Sequence, residues 1–137
     1  MNKGILLILA ATFVLAGPAG AQGQKGDVFK GKLFPPNVIL EHQAELALSK
    51  EQFTAIKKAV VEVQANVAEH EWDVREAYLS IMAELDESPI DEDKALEYVN
   101  AALLAENKVK KEQMAMLIRL RNLLTDEQVK YLESTRE

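Results

Sequence analysis

The ten residues ELDESPIDED, at positions 84–93, hold the only proline that follows Pro36, and every glycine of the chain lies at or before Gly31. From Asn37 onward the sequence carries a single helix breaker, so Pro89 divides it into two long uninterrupted arms. Upstream, Phe53, Ile56, Val60, Val63, Val67, His70, Val74, Tyr78, Ile81 and Leu85 recur at steps of three and four. That is the stripe of one amphipathic helix over about residues 50–86, roughly 55 Å long at 1.5 Å per residue. Downstream, Asp91 is placed to cap a helix whose first turn holds Glu92 and Asp93, where the helix dipole favours acid. Its apolar positions are Ala95, Leu96, Val99, Ala102, Leu103, Val109, Met116, Leu117, Leu120, Leu123 and Leu124, with a polar middle. No strand-like alternation competes.

A connection of a few residues around Pro89 forces the two long helices to run antiparallel. Working outward, Ser49 lies 40 positions before Pro89 and Thr125 lies 36 after it. Each sits in the same pattern, LSKEQ at residues 48–52 and LTDEQ at residues 124–128. Ser49 with Gln52, and Thr125 with Gln128, have the spacing of capping boxes. The hairpin brings both to its open end, so Leu48 and Leu124 are expected to pack near one another and Gln52 and Gln128 to satisfy helix starts. Pro35-Pro36 opens a short helix over residues 37–47, and Thr125 begins another through Val129 and Leu132. The expected fold is all-α: a long antiparallel helical hairpin flanked by two short helices, four in one domain over residues 37–137.

Ahead of that domain, Lys3, the apolar run ILLILAATFVLA at residues 5–16 and the small residues of GPAGA read as a signal peptide over residues 1–21, cut between Ala21 and Gln22. The run is twelve residues, short of the ~20 that span a bilayer. Residues 22–36 are expected to form a flexible leader. The expected mature protein is exported, has no membrane span after cleavage, and belongs in the periplasm if the source is a Gram-negative bacterium. Loss of Lys3 takes the formal net charge from −6 to −7, with no basic footprint for nucleic acid. The chain has no cysteine, hence no disulfide and no thiolate metal site.

A thin hairpin hides one face of each long helix, which makes the opposite face informative. Trp72 stands about 200° around the helix from the inward stripe. Leu79 and Met82, seven and ten residues on, continue a second apolar surface, Ala65 and Ala68 extend it, and Met114 and Ile118 add apolar character to the next helix. Two readings are open: a homodimer interface that completes the core, and a surface for client or peptide partners, rich in adaptable methionine and aromatic groups. His42 and His70 are the only histidines. His70 with Asp73 three residues on has the spacing to share a divalent cation, but two donors are too few without others supplied by folding or dimerisation. The competing reading is a hydrogen-bonded core histidine at position 70 and a surface histidine at position 42. The acidic turn lacks the glycine and terminal glutamate of a calcium loop. With no cysteine nucleophile, G-x-S-x-G elbow, phosphate-cradling glycine loop or H-E-x-x-H, the residues point to a non-catalytic protein.

A signal peptide, no cysteine, a long central hairpin and the two motifs LSKEQ and LTDEQ together resemble the Spy/CpxP superfamily of periplasmic proteins, with its related heavy-metal resistance and sensor group, over the chain from about Phe34. The resemblance implies a thin, cradle-shaped homodimer. It implies either an ATP-independent chaperone or accessory regulator, binding unfolded client proteins or an envelope sensor protein, or alternatively a sensor or resistance protein binding zinc, nickel, cobalt or copper. The chain departs from the metal-sensing pattern, because His42 is followed four residues later by Leu46 and the run Ile118-Arg119-Leu120-Arg121 has no methionine. It is also acidic where chaperone relatives present a basic face, although Lys108, Lys110, Lys111, Arg119 and Arg121 gather on the second half of the third helix.

Overall fold

Ser49 and Thr125 each close a helix start in the computed structural model, which describes residues 29–136. The expected signal peptide and leader residues 22–28 lie outside the described residues. Five helices follow in order: α1 Pro36–Glu41, α2 Gln43–Leu46, α3 Lys50–Leu85, α4 Glu92–Leu123 and α5 Asp126–Ser134. The described residues are all-α, and α3 packs antiparallel along α4. The expectation of one short helix over residues 37–47 is corrected. His42 leaves helical backbone at φ −105°, ψ 17° and divides that segment into α1 and α2. Helices this short have too few internal hydrogen bonds to set their own path, so burial sets it. Ala47 then turns the chain toward Ser49 through a left-handed conformation, φ 48°, which costs a residue with a Cβ about 1 kcal/mol.

The large buried side chains gather at the open end of the hairpin. Phe34, Ile39, Val63, Met116, Leu120 and Leu132 are sealed from solvent, and Leu46, Ile56, Val67, Leu124 and Val129 complete one cluster, with Leu48 packed against it. Phe34 therefore belongs to the core rather than to the leader. Toward the turn the molecule thins to two helices, whose buried apolar residues are Ala77, Ala102 and Ala105. The inward seam of α3 runs through Ile56, Val63, His70, Ala77 and Glu84, every seventh residue, joined by Ala59 and Val67. The wider expected stripe is corrected at Phe53, Tyr78 and Leu85, and on α4 at Leu96 and Leu103, all of which are exposed. A single partner helix shields only a narrow seam, so the margins of a broad stripe stay in solvent.

Both capping boxes form and then interlock. Gln52 Oε1 accepts from the Ser49 N–H at 3.0 Å, and Gln128 Oε1 accepts from the Thr125 N–H at 2.8 Å. The two amides also face each other: Gln52 Nε2 donates to Gln128 Oε1 at 2.7 Å, and Gln128 Nε2 returns a bond to Gln52 Oε1 at 3.2 Å. The remaining N–H of each glutamine reaches the last carbonyl of the helix before the other box. Gln52 donates to Leu123 O and Gln128 to Leu46 O, both at 2.9 Å. Four junction groups that a helix end leaves without partners are thereby satisfied by two side chains.

The turn end is held by charge. Asp91 caps α4 by accepting from the Lys94 N–H at 3.1 Å. Glu84, buried in the seam, receives Lys94 Nζ at 2.8 Å across the turn. That hydrogen bond and the carboxylate's field hold the Lys94 ammonium above its ordinary value near 10.5.

Two predictions test these devices. Replacing Gln52 or Gln128 by alanine should cost about 1–3 kcal/mol each, and the double variant should fall short of the sum by about 1 kcal/mol or more, because both remove the same amide pair. Urea unfolding of the four proteins gives this cycle, and strict additivity would refute the interlock. At the turn, Lys94→Met should lower the thermal midpoint more than Glu84→Gln, since it strands a buried carboxylate whereas the reverse change frees an exposed ammonium. A raised lysine pKa stabilises the fold below the unfolded value and ceases to do so as pH rises through the folded value. The deficit of Lys94→Met should therefore persist at neutral pH and disappear on the alkaline side of 10.5.

Candidate functional site

On α3 the residues opposite the seam form their own series. Val61, Ala65, Ala68, Trp72, Arg75, Leu79 and Met82 follow one another at alternating steps of four and three, and all are exposed. This is the spacing of a coiled-coil stripe, and it extends over about 30 Å of helix. Trp72 and Leu79 are each 67% exposed, Met82 60% and Val61 56%. A chain with few large side chains buried in its arm thus leaves its only tryptophan in solvent. The Arg75 guanidinium lies 5.0 Å from the centre of the Trp72 ring, a cation–π contact one turn along. Together with Ala68 and Glu71 these two residues line a shallow recess.

Trp72, Leu79 and Met82 therefore share one face, as their spacing predicts. Met114 and Ile118 do not join it. Both belong to α4, against which α3 turns its seam, and Met114 is half-buried. Ile118 is exposed beside Arg119, whose guanidinium lies 3.7 Å from Glu62 near the start of the stripe. Within the basic group of α4, Arg119 is the residue with an ion pair among the described residues. Sequence reasoning placed Val61 and Arg75 in neither surface, although the step pattern through Ala65 and Ala68 includes both. Further apolar groups border the thin arm: Leu103 and Leu104 on α4, and Tyr78 on α3. The Tyr78 hydroxyl donates to Glu106 Oε1 at 2.7 Å, and this carboxylate holds the phenol above its ordinary value.

The expected metal-ligating residues are separate. His42 packs its ring edge-on to Tyr131, 5.6 Å between centres, in the cluster at the open end. His70 lies midway along α3, with its Nδ1 3.9 Å from Asp73 Oδ2, too far for a hydrogen bond. That Nδ1 is buried without a partner. No group of three His, Asp or Glu side chains converges among the described residues, and an imidazole with one carboxylate does not make up the three or four ligands of a zinc site. The capping residues Ser49, Gln52, Thr125 and Gln128 serve structure, as their pattern predicts. No helix among the described residues is long and apolar enough to cross a membrane.

Comparison of the chain with family models, curated proteins and solved structures finds no match.

The stranded His70 nitrogen gives a prediction. Asn66 spans to α4 one turn away, Nδ2 to Glu112 Oε2 at 3.1 Å, so the seam at His70 is already bridged. His70→Leu should raise stability by about 1 kcal/mol, because it removes an unpaired buried polar nitrogen and fills the seam with apolar volume. A fall in the urea midpoint would instead mean that the imidazole supports the fold.

Proposed function

We propose that this protein is a non-catalytic envelope-stress protein that holds unfolded or regulatory polypeptides on the outer face of α3. The observation that carries the reading is the stripe through Trp72, Leu79 and Met82: large apolar side chains kept in solvent along a rigid helix. Contiguous apolar surface of this kind marks sites of interaction with other molecules, and a flexible methionine on the same face as an aromatic ring suits varied partners. The sequence resemblance to the Spy/CpxP superfamily supports the same reading, including export to the periplasm, and the all-α hairpin agrees with it. A second copy of the chain is another occupant that this resemblance suggests for the face. The alternative, a metal-responsive sensor, rests on the resemblance and on His70 with Asp73 alone.

The test is suppression of aggregation. At equimolar ratio the mature protein should keep a chemically denatured client in solution. The variant carrying Leu79→Glu and Met82→Glu should lose this activity with its melting curve unchanged, since exposed substitutions of this kind shift stability by only about 0.5 kcal/mol. Full suppression by that variant, or none by the parent, would overturn the proposal.

A further inference from the structure

The edges of the α3 stripe carry one sign of charge. Along one edge Glu62, Glu69 and Glu76 are spaced seven apart, and Glu71 lies on the other edge with Gln64 and Tyr78. Over residues 61–82 the sole lysine or arginine is Arg75, which lies within the stripe against Trp72; His70 lies in the inward seam. Lys57 and Lys58 stand beyond its N-terminal end. Glu62 already shares Arg119, and among the described residues Glu69, Glu71 and Glu76 have no ion pair. These positions correspond to the edge sites of a coiled coil, which select the partner by charge.

A second copy fits this face poorly. Antiparallel pairing would set the row of Glu62, Glu69 and Glu76 against its own counterpart, and parallel pairing would set Glu71 against Glu76. Each arrangement brings carboxylate to carboxylate along the buried rim, which penalises the match. A helix with an apolar stripe of equal length and basic edges meets every one of these groups favourably.

Resting on the partner-binding reading above, we propose that the outer face of α3 selects a basic amphipathic helix of about twenty residues, a polypeptide segment with Lys or Arg on both edges of its apolar stripe. Trp72 becomes covered on docking and Arg75 remains on its ring. The acidic rows supply selectivity and encounter rate, and the apolar stripe supplies most of the affinity.

Two tryptophan-free helical peptides of three heptads, identical in their apolar stripe and carrying either Lys or Glu at all edge positions, test this by titration against the full mature protein. The readout is the emission of Trp72. The Lys-edged peptide should shift the emission to the blue and bind about tenfold more tightly than the Glu-edged one at low salt. High salt should remove the preference. In the protein carrying Glu69→Gln and Glu76→Gln the preference should shrink several-fold, while Leu79→Glu should abolish binding of both peptides. Equal binding, or preference for the Glu-edged peptide, overturns the charge selection and leaves the surface reading in place. Failure of both peptides to bind removes the surface reading, and this inference with it. A dimer that sedimentation detects and Leu79→Glu dissociates would identify a second copy as the occupant and overturn the inference.

Discussion

The reciprocal amide pair of Gln52 and Gln128 is the constraint on which the other features depend. Each side chain closes its own helix start and the helix end that precedes the other start, so four elements meet at one point through six hydrogen bonds. Without it, α2 and α4 would end with unpaired carbonyls in a half-buried place, where an unmet polar group is expensive. Because the junction is fixed, Phe34, Ile39 and Leu132 can be sealed beneath it, although α1, α2 and α5 are too short to persist alone.

The same constraint explains the uneven molecule. Near this clasp of paired amides, the short helices and Phe34 join the hairpin in one cluster of large buried side chains. Away from it, nothing among the described residues covers the pair, and the buried seam narrows to alanines and Glu84, with His70 half-buried among them. The apolar groups that a third layer would cover stand in solvent there, on α3 above all. The candidate surface is therefore a consequence of where the short helices stop.

The parts of this arrangement legible in the sequence are those decided locally. Pro89, the absent glycines and the Ser/Thr-to-Gln spacing each act within a few residues, so the two long helices, their caps and the placing of both motifs at one end could be read directly. Trp72, Leu79 and Met82 were legible as a separate face because an offset of 200° is a property of one helix. What was not legible depends on distant groups. The exposure of Phe53, Tyr78 and Leu103 follows from how narrow the partner is, a fact absent from their own periodicity. The burial of Phe34 belongs to a cluster shared with residues far along the chain, and the break at His42 stands against Tyr131. Capping spacing predicts the bond each glutamine makes to its own helix start, but says nothing of the amide opposite. Met114 and Ile118 share the apolar character of Trp72 but stand on α4, against which α3 turns its seam.

The small residues of the arm have a consequence for cooperativity. The buried apolar side chains are smaller around Ala77 and Ala102 than around Val63 and Met116, so the free energy resisting local opening falls from the clasp toward the turn. A helix laid over the outer stripe would add buried area where the arm has least. By linkage, such a partner would raise the free energy of every opening that uncovers it, local opening of the arm included, and leave openings confined to the short helices as they were. The clasp end would then serve as the anchor, and the arm as the part whose order responds to occupancy.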